Sequence, residues 1–101
     1  MDTKESLLSV VDQALKLVLR PANDFSWSSW LSAEHASFEL NHIRQAILSG
    51  DFSCLAALRV IFAPTGPMQE LSLSSGWGDE FLSLAAQLDE IDQALSGMHG
   101  W

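Results

Sequence analysis

His35, Glu39 and His42 recur at spacings of four and three, which puts side chains on one side of a helix. Imidazole and carboxylate at such spacings form a common metal-ligand pattern, so Glu39 could share an ion with His35 or with His42. The two histidines are seven residues apart. At about 1.5 Å per residue they stand roughly 10 Å apart along a helix axis, too far to hold one ion together. No HExxH run occurs, and no ExxH-rich partner helix is evident. The preferred reading makes Leu31, His35, Phe38 and His42 a second, half-buried helix face, with His42 buried beside Phe38. No catalytic or cofactor-binding residue emerges. A serine nucleophile would want a Gly-x-Ser-x-Gly elbow, and none is present. Cys54 sits beside Phe52 and Leu55-Ala56-Ala57-Leu58, apolar surroundings that raise a thiol pKa and quiet it. The glycines at 66, 76 and 78 match no phosphate-binding spacing, and no Lys or Arg follows Arg59 to meet a phosphate.

That missing cation is part of a wider asymmetry. The chain carries 13 acidic and 5 basic residues, a formal charge of −8. Glu70, Asp79, Glu80, Asp89, Glu90 and Asp92 fall in residues 68–101 with no basic residue among them. A binder of nucleic-acid backbones needs clustered Lys and Arg, so that class is excluded, and anionic membrane surfaces are disfavoured. Asp79 and Glu80 suit the positive start of a helix, whereas Asp89, Glu90 and Asp92 lie towards its negative end. The alternatives are a solvated acidic face or a docking patch for a basic protein partner. On a helical wheel Asp92 falls at the edge of the apolar stripe near Leu88 and Leu95, so it is expected to pair with Arg44 or Arg59. Asp89, Glu90 and Glu80 then remain for a partner. Trp77, between Gly76 and Gly78, precedes this helix; its indole can turn inward as a plug, the favoured orientation, or outward as an anchor. Trp77, Glu80, Asp89 and Glu90 are the candidate partner-binding residues. Trp27 and Trp30 are expected to pack as a staple against the first helix or its connection.

These residues need helices to position them. Leu7, Val10, Val11, Ala14, Leu15, Leu17 and Val18 recur at helical spacing over Thr3–Leu19. With Leu8 and Leu19 the apolar arc reaches roughly 200°, more than one neighbour can cover. Thr3 is the expected N-cap, and Pro21 stops the helix. Ala33, Ala36, Leu40, Ile43 and Ile47 stripe a second helix from about Trp27 or Ser32 to Ser49, with Gly50 as its left-handed C-terminal residue. Asp51 is placed to cap a third, about Phe52 to Phe62. Residues 63–78 form an irregular, Pro- and Gly-containing connection, in which Gln69 to Leu73 is either a helical turn or a short extended piece. Phe81, Leu84, Ala85, Leu88, Ile91 and Leu95 predict a last helix from about Asp79 to Ser96. The expectation is one all-α domain over residues 1–101, about four helices in a compact bundle. A single cysteine excludes an intramolecular disulfide. No stretch of about 20 apolar residues exists to cross a membrane. Asp2, Glu5 and Asp12 interrupt the place of a secretory signal, so a cytoplasmic location is expected.

Two stretches read as motifs: Asn23-Asp24-Phe25-Ser26-Trp27-Ser28-Ser29-Trp30-Leu31 and Ser74-Ser75-Gly76-Trp77-Gly78-Asp79-Glu80-Phe81. With them the chain resembles, over residues 5–92, short bacterial helical domains of unknown function, some of them regarded as immunity-type proteins. That resemblance implies a small cytoplasmic interaction protein and assigns no role to any residue. The sequence therefore favours a protein-binding module, immunity- or antitoxin-like or an adaptor, acting on a basic protein partner without a cofactor. The alternatives are a metal-binding or enzymatic domain using His35, Glu39 and His42, and a structural homodimer formed by surplus apolar face.

Overall fold

An apolar arc as wide as that of the first segment must be enclosed, and in the computed structural model it is. The structure describes residues 3–64 and 66–99. Helix α1 (Thr3–Val18) packs against α2 (Ala33–Leu48) on one side and α5 (Gly78–His99) on another. Leu7, Val10, Val11, Ala14, Leu17 and Val18 are buried between them, Leu8 and Leu15 are half-buried, and only Leu19 of the predicted arc is exposed. Thr3, expected as the N-cap, is instead the first helical residue of α1.

The second helix starts at the later of the two expected places, where Ser32 accepts the His35 N–H, and Gly50 follows its end at φ +81°, as the sequence predicts. Asp51 caps what comes next by accepting the Ser53 N–H at 3.0 Å. The predicted third helix divides there into a 3₁₀ turn, Phe52–Cys54, and α3, Leu55–Ile61.

The expected count of about four helices and the irregular connection over 63–78 are both corrected by α4 (Pro67–Ser75), a fifth helix inside that connection. Pro67 opens it with φ preset and no N–H to lose, and Gly76 closes it at φ +84°. The irregular backbone shrinks to short joints on either side. Helix α4 buries Met68, Leu71 and Ser72 and packs on α5. Helix α5 continues to His99 rather than Ser96; Gly100 and Trp101 lie outside the described residues.

The two sequence motifs meet in space. Asn23 donates from Nδ2 to the Leu17 carbonyl at 2.8 Å, closing the end of α1. Its Oδ1 accepts the indole N–H of Trp77 at 2.8 Å. The Ser74 hydroxyl donates to the Asp24 carbonyl, the Asp24 N–H to the Ser75 hydroxyl, and the Ser28 hydroxyl to the Pro67 carbonyl. The loop between α1 and α2 is thus laced to α4. Every regular element among the described residues is helical, and the radius of gyration is 13.2 Å, against about 13 Å expected for 100 compact residues.

Candidate functional site

The stripe His35, Phe38, Glu39, His42 and Ile43 forms one wall of a groove of about 630 Å³. Ala57, Val60 and Ile61 of α3 form the facing wall, and Ser29, Trp30 and Pro67 also line it. Trp30, Ile43 and Ile61 are buried and make the floor. Phe38 and Val60, 73% and 66% exposed, stand on the rims. The half-buried face expected of α2 is therefore corrected. Phe38 and His42 project into solvent, Leu31 is 83% exposed, and only His35 is half-buried. The staple expected of the tryptophans also divides, with Trp30 buried and Trp27 75% exposed.

Glu39 is the polar centre of the groove. One oxygen accepts the Trp30 indole N–H at 2.7 Å, and the other lies 3.4 Å from His35 Nε2. His35 Nδ1 accepts the Leu31 N–H at 3.1 Å, so the proton of the neutral ring sits on Nε2, facing Glu39. This arrangement orients the loop entering α2 and anchors the buried indole. Among the described residues no three His, Cys, Asp or Glu converge as metal ligands. The His35–Glu39 pairing is what i, i+4 spacing predicts, while His42 lies exposed on the same stripe. With His42 exposed, His42→Leu should change stability by no more than about 0.5 kcal/mol, a result thermal unfolding would check.

The acidic face of α5 is arranged as follows. Asp92 is held by the Arg59 guanidinium in two hydrogen bonds, one of them Nε to Oδ2 at 2.8 Å, as the helical wheel suggests. Arg44, the other candidate, donates instead to Asp12 at 2.8 Å, tying α2 to α1. Glu80, Asp89 and Glu90 are exposed and have no charged partner among the described residues. Trp77 takes the inward orientation, 1% exposed, with its N–H on Asn23. Its indole offers a partner no surface and leaves the set of candidate contacts. Burial first, and then the nearby Asp51 carboxylate, push the Cys54 thiol above its usual range, as expected for an unreactive cysteine.

The Arg59 hydrogen bonds hold the Asp92 carboxyl below the usual aspartate value. A depressed carboxylate stabilises the fold above its unfolded pKa, and that contribution is lost as pH falls through the folded value. Asp92→Asn should therefore lower stability at pH 7 by up to about 1 kcal/mol, because the pair is only partly buried. The gap to wild type should close once the pH falls well below about 4. Denaturation at pH 7 and at acid pH would measure both effects.

No family model, curated protein or solved structure matches the chain. No helix among the described residues is long and apolar enough to cross a membrane.

Proposed function

We propose that the protein is a small acidic helical binding module that neutralises or escorts a basic protein partner, in its most concrete form an immunity- or antitoxin-like protein. The observation that carries this reading is the contrast along α5. Asp92 is committed to Arg59, whereas Glu80, Asp89 and Glu90 stand exposed with no charged partner among the described residues. Carboxylates disposed in this way raise the encounter rate with a basic surface and discriminate against acidic ones.

Neutralising Asp89 and Glu90 together should leave stability within about 0.5 kcal/mol of wild type. Because α5 runs on to His99, these residues lie too far from its end for the helix dipole to act strongly. Removing Asp89 also relieves repulsion of Asp92 three residues on. The binding test is capture of partners from a native lysate of the source organism, at low and at high salt. A basic protein should be retained at low salt, released as salt rises, and retained less by the Asp89→Asn/Glu90→Gln chain. Retention that ignores both salt and the double substitution would overturn the reading.

A further inference from the structure

The acidic face of α5 bears on attraction to a basic partner, and a second surface, the apolar groove between α2 and α3, bears on how that partner is held. We propose that the groove between α2 and α3 receives an amphipathic helix of that partner, its aliphatic side chains on the Trp30–Ile43–Ile61 floor and its flanking Lys or Arg residues meeting acidic groups around the groove. This rests on the binding-module reading above and names the chemistry of the partner segment.

Two observations select this occupant. The first is shape and polarity. The groove runs between helices, has buried apolar residues at its floor, and leaves Phe38 and Val60 largely in water. An unpartnered apolar trough of this kind suits the apolar face of a helix. The second is charge. The only Lys or Arg on α2, α3 and α4 are Arg44 and Arg59, and both are already paired, with Asp12 and Asp92. The acidic groups nearby are less committed. Glu34 is exposed one helical turn from Phe38 on α2. Glu70 accepts the N–H of the lining residue Ser29. Glu39 uses one lone pair for the Trp30 indole and faces His35 with its other oxygen, so a carboxylate with about four acceptor sites retains capacity for a cation. An acidic helix would meet these carboxylates unfavourably, and so would a second copy of this chain, which carries −8 itself.

The test titrates the full-length 15N-labelled chain with a synthetic amphipathic helix of Leu and Lys. The controls are a scrambled peptide of the same composition and a Leu/Glu counterpart. The expected result is binding of the first peptide alone, with shifts clustered at the Trp30 indole N–H and at the Phe38, Val60 and Ile61 amides. Val60→Asp changes an exposed position, and its thermal unfolding should match wild type. It adds negative charge, so attraction by charge alone would strengthen, whereas groove docking should weaken about tenfold or more. Unchanged or tighter binding by Val60→Asp overturns the proposal, as does failure of the amphipathic peptide to bind. Shifts confined to α5 would overturn the groove and leave the binding-module reading standing. Concentration-dependent dimerisation of the free chain, abolished by Val60→Asp, would assign the groove to a second copy and overturn it too.

Discussion

Replacing Gly66 by alanine should cost about 3 kcal/mol, near the top of the usual range for overpacking. The backbone angle is not the reason, since φ is −80°. A Cβ at this position would stand 2.4 Å from the Val60 carbonyl oxygen and 2.8 Å from that of Ile61. Both are backbone atoms at the end of α3, so no rotamer change relieves the clash. The α4 helix would have to withdraw from α3, disturbing the joint where Ile61 and Pro67 meet the groove. Gly76→Ala is the informative comparison. A Cβ there meets open space, but φ is +84°, so the expected loss is conformational, about 1 kcal/mol. Urea denaturation of the two variants checks the order, and a Gly66→Ala loss no greater than that of Gly76→Ala would refute the close-approach argument.

Trp77→Ala should be the most damaging single substitution, at about 3–5 kcal/mol. A domain of this size has about 5–15 kcal/mol of stability in all, so the variant is expected to unfold in part at physiological temperature. The indole is among the largest fully buried side chains, and its N–H is held by Asn23, whose own amide closes α1. Removing Trp77 therefore opens a cavity and frees one hydrogen-bonding group. Asn23→Ala tests the polar half together with the Asn23 bond to the Leu17 carbonyl. It leaves a buried indole N–H without its acceptor and should cost about 1–3 kcal/mol. The two losses should fall short of additivity in a double-mutant cycle, because both remove the same bond. Calorimetric unfolding of the three variants supplies the numbers.

The helices that the sequence identifies well are those whose buried positions are all apolar. Helices α1, α2 and α5 meet that condition over most of their length. Helix α4 does not. Ser72 occupies a fully buried position, made tolerable by a hydroxyl bond to the Gln69 carbonyl at 2.7 Å, while Leu73 beside it is exposed. That exchange of polar and apolar places erases the helical period. Trp27 and Trp30 show a different limit. They share a residue type and a loop, yet lacing of that loop to α4 buries one indole and exposes the other. The pairing of Asp92 is legible because its place at the edge of the apolar stripe follows from helical spacing, whereas the choice of Arg59 over Arg44 is made by tertiary packing. The groove is not legible, because its facing wall comes from Ala57, Val60 and Ile61, whose position relative to α2 is set by tertiary packing.

The binding-module reading is tested most directly by the association rate of the chain with its purified basic partner, measured against ionic strength for wild type and for Asp89→Asn/Glu90→Gln. The rate should fall steeply with salt for wild type. The double variant should associate more slowly and show a shallower slope, with its dissociation rate little changed. A wild-type rate independent of salt, or identical slopes for the two chains, would contradict an acidic surface that recruits a basic partner.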